Sequence, residues 1–203
     1  MALLPGVEVD EYGFSRALVD RADPVVRHVL RTTLEGVRHV PRTGPAVLVA
    51  NRRFGLVEPF ALQQAVRHRT GRQPRFLGIP DVAPVGPLLR RLGGAVNRAD
   101  ELAGLLRAGH LVAVPLGLSF RRPLGAGSLA PEMLAPALAL DVPVLPVAVV
   151  GGEITGRWSV TVGPPVARPV ARGPLALAEL ADESRAAVQR LLDEAFPPRW
   201  PFA

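Results

Sequence analysis

The chain contains no cysteine. That removes disulfides, thiolate metal sites and a cysteine nucleophile together, and it fits a reducing compartment. Lysine is also absent: all 24 basic residues are arginine. No Schiff-base lysine and no phosphate-loop lysine can therefore operate. Aromatic residues make up only 5% of the chain, with a single tyrosine, so no base-stacking platform of the usual kinds is present. No apolar run reaches the ~18 residues that cross a bilayer. The nearest, Val142 to Val150, is interrupted by Pro143 and Pro146 and reads as a buried strand. The first twenty residues carry Glu8, Asp10 and Glu11 and lack the basic and apolar regions of a signal peptide. The expectation is a cytoplasmic protein, soluble or peripheral on the inner face of a membrane.

What is present suits one folded domain. The 203 residues are 48% hydrophobic, enough for a sizeable core. The formal net charge is +6, unevenly spread. Between Gly36 and Arg98 there are eleven arginines against Glu58 and Asp81, a local balance of +9, and the remainder of the chain sums to −3. Such a segment points to an anionic partner: phosphate, nucleic acid or an acidic lipid surface. It fits equally well a solvated arginine face in a chain whose Ala, Pro, Gly and Arg usage looks like that of a GC-rich genome.

Apolar patterning alternates between helical stripes and short β-branched runs. Asp23-Pro24 predicts a helix start, with Val25, Val26, Val29 and Leu30 on one face to about Leu34. Strands are predicted at Val37–Val40, Ala46–Ala50, Arg75–Ile79, Ala95–Asn97, Leu111–Val114, Val142–Val150 and Trp158–Val162. Helices are predicted at Leu56–His68, Pro84–Leu92, Ala99–Ala108, Pro131–Leu140 and Ala176–Phe196. This alternation implies an α/β fold, a single domain with a mixed, mostly parallel sheet flanked by helices. Residues 1–22 read as an N-terminal extension, 23–196 as the domain and 197–203 as a tail. Ligands of such sheets gather at the carboxyl ends of the strands, which directs attention to Asn51-Arg52-Arg53, Asn97-Arg98 and Pro115-Leu116-Gly117.

Four ordered segments carry a family resemblance. Val40-Pro41-Arg42-Thr43-Gly44-Pro45-Ala46-Val47-Leu48-Val49-Ala50-Asn51 resembles the entry strand of the glycerolipid acyltransferases, the family of lysophosphatidic acid acyltransferase. That strand leads into the family's N-H-x-x-x-x-D motif. Leu92-Gly93-Gly94-Ala95-Val96-Asn97-Arg98 is similar to the second block, Leu106 to Gly117 to the third, which runs into F-P-E-G-T-R, and Val142-Pro143-Val144-Leu145-Pro146-Val147-Ala148 to the fourth. The resemblance implies an acyltransferase-like fold and, as partners, phospholipid or lysophospholipid. Acyl-CoA or an acyl-carrier protein would be the donor, and no resident cofactor or metal is expected. It assigns Asn51, Arg98, Gly117 and, by the bend of the following loop, Arg121 and Arg122 to the substrate.

The chemistry departs from the pattern. The family's histidine is a general base on a glycerol hydroxyl, and its aspartate orients that histidine. Anchored on Asn51, those positions are Arg52 and Val57; anchored on Pro59-Phe60, they are Arg53 and Glu58. Arginine stays protonated and cannot act as a base. In the third block Leu116, Leu118 and Ser119 replace the glutamate, threonine and arginine. The four histidines, His28, His39, His68 and His110, fall outside the motif. The expected function is a catalytically degenerate acyltransferase-like protein that binds lipid phosphate or acyl-CoA in the old cleft, alone or beside an active acyltransferase partner. The alternatives are an active acyltransferase with a non-standard site and an arginine-rich nucleic-acid binder. Arg98 has two readings: a phosphate ligand, or a surface partner of Asp100 or Glu101.

Overall fold

Strand β2 (Ala46–Ala50) is buried at every position, as expected of a strand covered on both faces. Its period of two sends Ala46, Leu48 and Ala50 to one core layer and Val47 and Val49 to the other. The first layer lies under helix α2 (Glu58–Thr70), through Ala61, Leu62, Ala65 and Val66. The second lies under α4 (Ala99–Arg107) and α6 (Pro174–Ala195), through Leu102, Leu105, Leu106, Leu180, Ala181, Val188 and Leu192.

This computed structural model describes residues 8–52, 57–118, 125–152, 154–170 and 173–195. The other strands are β1 (Arg31–Glu35), β3 (Arg75–Leu77), β4 (Gly94–Ala95), β5 (Leu111–Pro115), β6 (Val144–Gly151) and β7 (Arg157–Val162). They form one seven-stranded sheet in the order β1-β7-β6-β2-β5-β3-β4. Every neighbouring pair is parallel except β6 and β7. The domain is thus α/β with a mixed, mostly parallel sheet. The remaining helices are α1 (Arg16–Val29), α3 (Val85–Arg91) and α5 (Ala135–Ala139), the last preceded by a 3-10 turn at Pro131–Leu134. No helix among the described residues is long and apolar enough to cross a membrane.

Two local expectations fail near the N-terminus. Asp23-Pro24 does not start a helix: α1 begins at Arg16, capped by the buried Ser15, whose hydroxyl accepts from the Leu18 N–H at 3.3 Å. Pro24 sits within α1, and the Asp23 carboxylate faces Arg27 at 3.8 Å and Arg67 at 4.0 Å. The helix ends at Val29, so 31–35 is a strand, and Val37–His39 is a 3-10 turn rather than a strand. Gly36 dictates this turn. Its φ is +68°, and a Cβ there would stand 1.9 Å from the Val162 carbonyl oxygen.

Candidate functional site

The carboxyl ends of β2, β3 and β5 open into a narrow apolar slot. It encloses about 680 Å³ of empty space, open solvent included, yet only about 70 Å³ admits the centre of a water molecule. Phe60 from α2 and Phe76 from β3 meet edge-on, with centroids 5.3 Å apart, and line it together with Ile79, Pro80, Leu89 and Pro115. This shape suits a thin, extended apolar chain better than a bulky polar ligand. Gly78 helps keep it open: its φ of +100° makes the turn after β3, and a Cβ there would press on Pro115 at 3.3 Å.

Asn51, Arg52 and Glu58 border this slot. Asn51 is 5% exposed, and its amide is consumed by the sheet. Nδ2 donates to the Val149 carbonyl at 2.9 Å, and Oδ1 accepts from the Val149 N–H at 2.7 Å. Asn51 thus acts as one more rung between β2 and β6. Arg52 is exposed at the mouth, and its Nη1 lies 3.8 Å from where a Gly78 Cβ would be. Among the described residues it has no hydrogen-bonded or ionic partner. Glu58 is 4% exposed in the first turn of α2, where a carboxylate suits the helix N-terminus. Val57 packs on the core layer under α2 and does not line the slot.

The remaining assigned residues lie elsewhere. Arg98 precedes α4 and pairs in the open with Asp100, at 2.7 Å and 3.2 Å. That contact holds the Asp100 carboxyl below its ordinary range. Together they line a separate cleft with Tyr12, Asp81, Arg90 and Glu101. Gly117 makes a tight backbone crossing: its N–H donates to the Ser128 carbonyl at 2.7 Å, and a Cβ on Gly127 would stand 1.5 Å from the Gly117 carbonyl oxygen. Arg53, Arg121 and Arg122 lie outside the described residues. No histidine lines the slot. His28 and His68 are exposed. His39 is fixed as the Nδ1–H tautomer, since Nδ1 meets the Val162 carbonyl at 2.9 Å and a carbonyl only accepts. His110 lies at the opposite, amino ends of the strands, just before β5, with its ring edge-on to Tyr12 at 6.0 Å.

At these amino ends two arginines of the basic segment have structural partners. Arg72 donates to the carbonyls of Pro41, Gly44 and Gly109 at 2.9, 2.6 and 3.2 Å. Arg75 is 1% exposed, donates to Asp10 at 2.8 Å and lies 4.8 Å from the Phe14 ring centroid. Neither role is visible in the linear chain. Their partners lie up to 65 residues away, and neither arginine falls in a motif.

The fold has a solved counterpart. It is similar to that of a glycerophosphate acyltransferase. The crystal structure of the 1-acyl-sn-glycerophosphate (LPA) acyltransferase PlsC from Thermotoga maritima superposes with a TM-score of 0.62, covering 89% of this chain and 83% of that one at 18% identity. No family model and no curated protein matches the sequence. The likeness is one of fold.

Proposed function

We propose that this is a glycerolipid-acyltransferase-like protein that binds a lipid in the slot without transferring its acyl group. The observation carrying this reading is Arg52: a guanidinium with no partner among the described residues stands at the mouth of an apolar slot, at a position where the family resemblance calls for a base. Guanidinium is a permanent cation with a planar array of donors, suited to grip phosphate or carboxylate. An apolar chain in the slot and an anionic group on Arg52 describe a single-chain amphiphile such as a lysophospholipid or fatty acyl compound. Acyl transfer requires a group that can accept a proton near neutral pH, and Arg52 cannot.

A second reading, acyl transfer by a non-standard site, has one observation behind it: the buried Glu58 carboxyl lines the same slot. Calorimetric titration with a monomeric lysophospholipid, beside radiolabelled acyl-CoA turnover, separates the two. Lipid binding without turnover is expected. Arg52→Ala should weaken binding by about 1.5–3 kcal/mol, the range for hydrogen bonds to charged groups. Arg52→His with Val57→Asp should remain inactive, because the third block still carries Leu116 and Leu118 where the family pattern has glutamate and threonine. Turnover by wild type that disappears in Glu58→Gln would establish the second reading instead.

A further inference from the structure

The segment between β3 and the end of α3 leaves the slot and returns to it. Pro80 and Leu89 line the slot at either end. Between them Val82, Ala83, Pro84, Val85, Pro87 and Leu88 are all exposed. Val82, Val85 and Leu88 recur every three residues and are 67%, 50% and 42% exposed. The knuckle is tightly folded: the Gly86 N–H donates to the Val82 carbonyl at 2.7 Å, and a Cβ on Gly86 would stand 2.6 Å from the Pro80 carbonyl oxygen. Its side chains are therefore presented by a defined backbone.

We propose that this knuckle docks the protein on an anionic lipid surface, with Val82, Val85 and Leu88 entering the hydrocarbon and Arg52 meeting a headgroup phosphate. Three features favour a lipid surface over a protein partner. Pro80, Pro84 and Pro87 have no N–H, and the Gly86 N–H is already used. Four of the nine backbone positions from Pro80 to Leu88 thus leave no donor to strand in hydrocarbon, where unsatisfied groups are costly. A protein interface, in contrast, draws about one hydrogen bond per 100–200 Å², and the apolar side chains of this surface offer none. The apolar path is continuous from Leu88 through Leu89 into the slot, the route an alkyl chain would need. The charge is complementary as well: Arg52, without a partner among the described residues, stands over Gly78, two residues before Pro80. Asp81, the acid of this stretch, lines the cleft of Arg90 and Arg98 instead.

This inference goes beyond lipid binding in the slot, shares Arg52 with that reading and is tested apart from it. The test uses the full chain with vesicles of phosphatidylglycerol and of phosphatidylcholine, at low and molar salt. Sedimentation with phosphatidylglycerol vesicles should persist in part at molar salt and fall at least tenfold in Val82→Glu with Leu88→Glu. Leu88→Trp should show blue-shifted emission with vesicles and quenching by lipids brominated in their acyl chains. Unchanged sedimentation of the double variant would overturn the proposal, as would complete release by salt or absence of quenching. So would a wild-type dimer that the double variant dissociates, since a second copy would then be the occupant. Val82→Glu with Val85→Glu, which leaves Leu88 in place, should lose sedimentation as well and yet bind monomeric lysophospholipid as wild type does, so that failure of the slot and failure of the knuckle are read separately.

Discussion

Arg75 carries its charge inside the fold because the N-terminal segment supplies the counter-charge. Asp10 accepts from Arg75 and, through its other carboxylate oxygen, from the Tyr12 and Phe14 N–H groups at 2.9 Å each. Burial works to raise the Asp10 carboxyl, but the Phe14 N–H and Arg75 outweigh it, so it titrates below its ordinary 3.8. The unfolded chain therefore takes up that proton first as pH falls. The stability is complete above about pH 4 and is lost as pH falls through the lower folded value. His110 acts in the same direction. Burial, aided by Arg75, pushes it below 6.5, so protonation favours the unfolded chain from that pH downward. Melting temperature measured against pH should decline in two stages, one beginning below about 6.5 and one below about 4. Asp10→Asn should flatten the acid stage and cost about 1–2 kcal/mol at neutral pH, reduced from the value for a fully buried pair because Asp10 is partly exposed.

Among the elements, β2, β5 and β6 were legible because strands covered on both faces read as unbroken apolar runs. Strand β1 was not. It lies at the sheet edge, only Leu34 of its five residues is buried, and its partner β7 is remote in sequence. Val37–Val40 looked like a strand because apolarity cannot report that Gly36 turns the chain under Val162. The site divides in the same way. Asn51, Arg52 and Glu58 were readable from the family motif, whereas the aromatic wall comes from α2 and β3, whose meeting no local pattern encodes. Arg98 was ambiguous because the first turn of α4 supplies Asp100 as a competing anion. Arg98→Ala should leave both melting temperature and lysophospholipid affinity unchanged. Asn51→Leu should lower stability by several kcal/mol, at about 1–3 for each orphaned group of Val149. Thermal denaturation of the two variants checks the contrast, and equal effects would refute the assignment of Asn51 as a sheet rung.

For the whole molecule, the +9 segment meets acids from outside itself. Arg67 pairs with Asp20, Arg75 with Asp10, Arg90 with Glu101 and Arg98 with Asp100. Folding thus intersperses charges that the linear chain keeps apart, which weakens any long-range attraction for polyanions. Fluorescence titration with single-stranded and duplex oligonucleotides at physiological salt should give binding weaker than the ~10⁻⁴ to 10⁻⁶ M typical of non-specific binders. Micromolar affinity with a steep salt slope would revive the nucleic-acid reading. The position of β1 bears on how the protein is made. Arg31 aligns with Arg157, so β1, once it leaves the ribosome, waits for a partner 126 residues later. At 5–20 residues per second that delay is roughly 6–25 s. An apolar strand held open so long would invite pairing with other chains. The sequence Arg31-Thr32-Thr33-Leu34-Glu35, charged at both ends and with one large apolar side chain, is suited to the wait.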